Sequence, residues 1–83
     1  MEDHMSATDM LKEAIALHTP SQAWLARQTG LSLKHINMVV NGKDPLSVDV
    51  AIRIERAIPS LSAEDLMVAQ ARTQVRAARL KND

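Results

Sequence analysis

Residues 21–43, SQAWLARQTGLSLKHINMVVNGK, carry two short apolar repeats separated by a glycine, and no other stretch of the chain restricts the fold as much. Leu25 and Ala26 stand one turn before Thr29 and Gly30. The first repeat is therefore a helix with a narrow buried stripe, ending where a left-handed backbone conformation calls for glycine. Beyond the turn, Leu31 is an apolar plug and Ser32 a good N-cap. Ile36, Val39 and Val40 then recur at helical spacing until Asn41-Gly42 stops the second helix. Two helices joined by a turn of about 3 to 4 residues cross closely, so the small side chain of Ala26 belongs at the crossing. The stretch reads as a helix-turn-helix.

The side of the second helix that turns away from this core decides what it can do. At about 100° per residue, Ile36, Val39 and Val40 centre on one side. Lys34, Asn37, Met38 and Asn41 then lie opposite, with Leu33 and His35 on the flanks. A helix fits the major groove of DNA, where Lys donates to guanine O6 or N7, Asn pairs with adenine, and Leu or Met touches a thymine methyl. A purely solvated face would account for Lys34, His35 and Asn37. It does not account for Leu33 and Met38, two large apolar residues on a polar face.

Charge at first argues against a nucleic-acid ligand, because ten basic residues balance ten acidic ones. The distribution restores part of the case. Residues 21–43 hold Arg27, Lys34 and Lys43 with no acid, and residues 66–82 hold Arg72, Arg76, Arg79 and Lys81 with no acid. Local charge governs contact with phosphate, so sign-separated faces and weak non-specific affinity are expected. The 83 residues suffice for one small domain, burying about 60 to 65% of its unfolded surface, and a dimer interface would add to its modest stability. The absence of cysteine excludes a disulfide framework and cysteine-based zinc or redox chemistry. No apolar run approaches the length of a membrane span and no export signal follows the N-terminus. The expectation is a soluble cytoplasmic protein with no membrane partner.

The remaining chain reads as three more helices around this pair. Residues 1–5 lack an apolar pattern and are expected to be a disordered lead, with one domain over residues 6–83. Ser6 with Asp9 resembles a capping box, and Met10, Leu11, Ala14, Ile15 and Leu17 form the stripe of a first helix reaching about His18. His18 suits the C-terminal end of that helix. Thr19-Pro20 then offers a cap and a first-turn proline for the next one. Trp24, the only aromatic residue, is expected to be partly exposed. Asp44-Pro45 makes a turn, and Ser47 caps a fourth helix from Val48 to about Ile58. Val48, Val50, Ile52 and Ile54 alternate as in a strand, yet Ala51, Ile54 and Ile58 give a helical stripe. Ser62 with Asp65 opens a long fifth helix through Leu80, on which Leu66, Met67, Ala69, Val75 and Ala78 are available to the core. Its length exceeds what a five-helix domain needs. Its excess surface is expected to form a dimer contact, ahead of a DNA-side extension or a solvated tail.

Gln22, Leu25, Ala26, Gly30, Leu31, Ser32, Ile36, Val39, Asn41, Gly42 and Lys43 together resemble the helix-turn-helix of the Cro and phage-repressor (XRE) family of DNA-binding proteins. The resemblance implies an all-α, five-helix, lambda-repressor-like domain that acts as a transcriptional regulator, a repressor binding a palindromic operator as a homodimer. It also implies that Gln22, Asn41 and Lys43 hold phosphates of double-stranded DNA, while Ser32, Leu33, Lys34 and Met38 meet the bases. Residues 49–54, DVAIRI, and 66–79, LMVAQARTQVRAAR, look like the fourth and last helices of the HigA-type antitoxin branch of that family. That likeness implies a toxin protein as an additional partner.

A protein-binding module is the rival from another class, with Leu33 and Met38 docked on a partner protein. Salt dependence separates the two, since phosphate binding releases counterions and protein docking need not. An enzyme has less support. His4, His18 and His35 share no helical spacing, and no Gly-rich phosphate loop or nucleophile motif occurs. No catalytic residue, cofactor or metal-ligand set is expected.

Overall fold

Five serines set the frame of this protein. In the computed structural model, which describes residues 5–82, helices α1 (Ala7–His18), α2 (Gln22–Thr29), α3 (Leu33–Val40), α4 (Val48–Ala57) and α5 (Ala63–Lys81) follow one another with no strand among the described residues. Each is preceded by a serine: Ser6, Ser21, Ser32, Ser47 and Ser62. Every one of these hydroxyls accepts the backbone N–H three residues on, at 3.0 to 3.2 Å. A serine cap contributes about 0.5 to 2 kcal/mol by satisfying a donor that the helix itself leaves free. At Ser6 the bond is reciprocal, because the Asp9 carboxylate accepts the Ser6 N–H.

The caps correct one expectation. Thr19-Pro20 does not open α2, because both the Thr19 hydroxyl and the Thr19 N–H donate back to the carbonyl of Ile15, at 2.9 and 3.2 Å. Thr19 thus closes α1, and Ser21 takes the capping role with Pro20 outside the helix. At the other three corners the expected residues act as read. Gly30 ends α2 at φ 76°, Asn41-Gly42 ends α3 with Gly42 at φ 74°, and Ile58 ends α4 before Pro59. The expected lead falls largely on residues 1–4, outside the described residues, and Met5 is exposed.

Each helix contributes one fully buried large side chain to a common centre: Leu11, Leu25, Ile36, Ile54 and Leu66. Ala14, Ala26, Val39, Val40, Leu46, Val50, Ile58, Leu61 and Ala69 close around them, with Met10, Ile15, Trp24, Leu31 and Met67 half-buried at the edge. Leu17 departs from its expected place on the first stripe and is exposed. Val75 and Ala78 are likewise exposed, because they lie on the side of α5 away from buried Leu66 and Ala69; beyond Gln70 the helix leaves the core and residues 71–82 are all exposed. The molecule is correspondingly elongated, 42 × 24 × 18 Å.

Three side chains that look merely polar in the sequence fasten the corners. Arg53 donates to the carbonyl of Thr29 at 3.0 Å and pairs with Asp49 at 3.0 Å, tying the end of α2 to α4. Glu55 accepts the N–H of Ala63 at 2.7 Å, joining α4 to the start of α5. Gln70 bonds both backbone groups of Leu46, accepting its N–H at 2.6 Å and donating to its carbonyl at 2.9 Å. The α3–α4 loop is thereby held to α5.

Gly30 holds the α2–α3 turn in a left-handed backbone conformation at φ 76°. A Cβ there would stand 3.5 Å from the Arg53 guanidinium, an ordinary contact, so the constraint is the positive φ and not space. Gly30→Val is expected to lower stability by about 1 to 3 kcal/mol, since a β-branched residue is poorly accommodated at positive φ. Chemical denaturation measures it; a midpoint equal to that of the parent would mean the turn has another geometry.

Candidate nucleic-acid interface

The core-facing residues of α3 determine which of its side chains are free. Ile36, Val39 and Val40 are buried, so Leu33, Lys34, Asn37 and Asn41 are driven to the outside, with His35 and Met38 half-buried at the margins. Leu33 is 52% exposed although a leucine on a small domain gains by being covered. Ser32 precedes this face as the α3 cap, its oxygen accepting the His35 N–H at 3.0 Å. Its hydroxyl hydrogen remains available to a further acceptor.

The crossing of α2 and α3 brings three of the predicted residues into one chain of side-chain hydrogen bonds. Asn41 donates to Asn37 Oδ1 at 3.2 Å, and Asn37 Nδ2 donates to Gln22 Oε1 at 3.3 Å. Asn41 and Asn37 are one helical turn apart, so their pairing was available from spacing alone. The Gln22–Asn37 bond spans 15 residues and exists only because α2 and α3 pack against each other. An amide side chain has two donor hydrogens and two acceptor lone pairs. By that count Asn37, with one of each engaged, keeps one donor and one acceptor, the pair that adenine recognition requires.

Lys43 lies at the opposite end of the face from Leu33 and Lys34. Its N–H donates to the carbonyl of Met38 at 2.8 Å, and the N–H of Asp44 shares that acceptor at 3.2 Å. The backbone carrying Lys43 is therefore wrapped onto the last turn of α3, and Gln70 secures the same loop at Leu46. Sequence reading does not single out Gln70; its partner lies 24 residues away and no local pattern announces the bond. Arg27, on the last turn of α2, is exposed, as are Lys34 and Lys43. No acid interrupts residues 21–43, and Asp44 adjoins them.

The face thus combines a fixed row of amides, exposed cations and an exposed leucine on a helix of eight residues. Such a surface can donate to phosphate and base-edge acceptors, pair with a planar amide-like edge, and contact a methyl group. Among the described residues no group of three or more His, Asp or Glu side chains is placed to hold a metal ion, and no helix is long and apolar enough to cross a membrane. Comparison with protein-family models, with curated proteins and with solved structures finds no match to this chain.

Proposed function

We propose that the chain is a sequence-specific DNA-binding transcriptional regulator, a repressor that sets α3 into the major groove of a palindromic operator, one copy on each half-site. The observation that carries this reading is the outward face of α3. Lys34, Asn37 and exposed Leu33 stand on a helix whose opposite side is wholly buried, and Asn37 is already held by Gln22 and Asn41. Holding a base-reading side chain in advance lowers the entropy lost on binding. In this reading Ser32, Leu33, Lys34, Asn37 and Met38 meet bases, Gln22, Asn41 and Lys43 hold the backbone, and His35 borders the groove. The family placement that fits best is the Cro and phage-repressor type. The likeness of residues 49–54 and 66–79 to HigA-type antitoxins supports a variant in which the same domain also binds a toxin protein.

Selection from random duplexes followed by gel shift tests the proposal. Lys34→Ala is expected to cost about 1 to 3 kcal/mol on the selected site and to relax the sequence preference at one position. Lys43→Ala is expected to weaken binding evenly on selected and random duplexes, because its partner is a phosphate. Equal losses on both duplexes for Lys34→Ala would count against this docking. Binding to no duplex at low salt would favour the protein-binding module, for which Leu33 is the natural anchor.

A further inference from the structure

The outer half of α5 has one face that nothing in the domain covers. Leu66, Ala69 and Gln70 point α5 at the core and the α3–α4 loop, so Glu64, Val68, Ala71, Val75 and Arg79, spaced by three and four residues, form a single stripe on the other side. Val68 and Val75 on this stripe are 48% and 47% exposed. Beside its N-terminal end, α4 presents Val48 and Ile52, 61% and 37% exposed, across a shallow groove shared with Glu64, Met67 and Val68. By helical spacing Ala71 and Ala78 fall on the Met67 side of the stripe, the flank of α5 nearer α4. The apolar surface is therefore continuous from α4 onto α5, which marks it for a macromolecular partner.

Charge identifies the occupant. The acids of α5 are at its start, Glu64 and Asp65, and its cations follow at Arg72, Arg76, Arg79 and Lys81. A parallel pairing of two such helices would set arginine on arginine. An antiparallel pairing brings each acidic end onto a basic end, and the chain is its own complement. We propose that this face is the interface between two copies of the chain, with α5 antiparallel to α5 and the two-fold axis passing between Ala71 and Arg72. In that register Val68 lies on Val75 of the second copy, and Glu64 lies on Arg79 of the second copy. The Ala71–Ala78 flank of each α5 receives Val48 and Ile52 from the other subunit. Arg72 approaches its symmetry mate, and its long exposed side chain keeps both charges in water. The inference deepens the two-copy reading above and rests on it.

Sedimentation equilibrium of the full chain without DNA tests it. The parent is expected to be a dimer at micromolar concentration. Val68→Glu, Glu64→Arg and Arg79→Glu are each expected to weaken association more than about tenfold, a change of about 1.4 kcal/mol or more. These sites are on the solvent side of α5, so circular dichroism should remain that of the parent. Mixing Glu64→Arg with Arg79→Glu is expected to restore the dimer as a heterodimer. In that mixed pair the two introduced side chains face each other with opposite charge at one end, and the unaltered Glu64 and Arg79 face each other at the other. A monomeric parent, or a dimer indifferent to all three substitutions, would overturn the proposal. So would single variants that recover in the mixture no better than alone. An acidic partner protein that binds the monomer through Arg72 and Arg76 would overturn it as well. Because DNA is absent, failure here leaves groove binding by α3 to its own gel-shift test, and loss of DNA binding with an intact dimer removes the regulator reading alone.

Discussion

Ile36→Ala should lower the stability of the domain by about 2 to 5 kcal/mol, a large share of what a chain of this size possesses. Ile36 is fully buried in the common core of a domain in which α3 packs against α2, so truncation leaves a cavity that a close-packed interior fills only in part. For a domain of this length each kcal/mol moves the melting temperature by about 4 to 8 °C, so a fall of about 10 °C or more is expected by circular dichroism. Leu33→Ala, one turn earlier on the same helix and half-exposed, should change stability by about 0.5 kcal/mol or less while weakening a DNA complex. Similar melting temperatures for the two variants would mean that α3 is not anchored through Ile36.

The second large effect is in the salt dependence of DNA binding. In the proposed complex one copy would bring two or three cations to phosphate, from among Arg27, Lys34 and Lys43, with Asp44 in opposition. At about −0.9 per neutralised phosphate, one copy gives a slope of log affinity against log salt of roughly −2 to −3, and two copies roughly −4 to −5. A fourfold rise in salt then weakens the two-copy complex by about 250- to 1,000-fold, against about 15- to 60-fold for a single copy. Half-sites about 10 base pairs apart, centre to centre, are the matching requirement on the DNA. Titration of a selected duplex by fluorescence anisotropy across that salt range, with the mass of the complex from sedimentation, measures both. A shallow slope with one chain per duplex would rule out paired half-sites.

Buried Ile36 and exposed Lys34 stand on opposite sides of one short helix, which is why the helix-turn-helix is so legible in the sequence. Period-3.6 spacing separates Ile36, Val39 and Val40 from Lys34, Asn37 and Asn41 with no reference to the rest of the chain. Glycine at positions 30 and 42 marks positive φ because other residues are strained there. A serine three residues ahead of a helical N–H is a local bond, so four of the five caps can be named directly. The fifth escapes local reading because Thr19 and Ser21 are both competent caps, and the choice is made by the free carbonyl of Ile15 at the end of α1.

What the linear chain determined, then, is what short-range physics controls: five helices, four of their five caps, most of the residues each buries, and the set of polar residues left on the outer face of α3. What only the tertiary structure decided depends on which stripes meet. Leu17 and Val75 are apolar residues on helical stripes and are nonetheless exposed: Leu17 stands in the last turn of α1, and Val75 falls on the face of α5 turned away from Leu66 and Ala69, a direction decided only by which stripe packs. Arg53, Glu55 and Gln70 look like solvated polar residues and instead hold backbone groups 24, 8 and 24 residues away, since a buried corner must satisfy its N–H and C=O groups with whatever the packing brings near. The same holds for the row from Gln22 through Asn37 to Asn41. Its amides are written in the sequence and the Asn37–Asn41 bond is local, but the link to Gln22 exists only once α2 and α3 pack together.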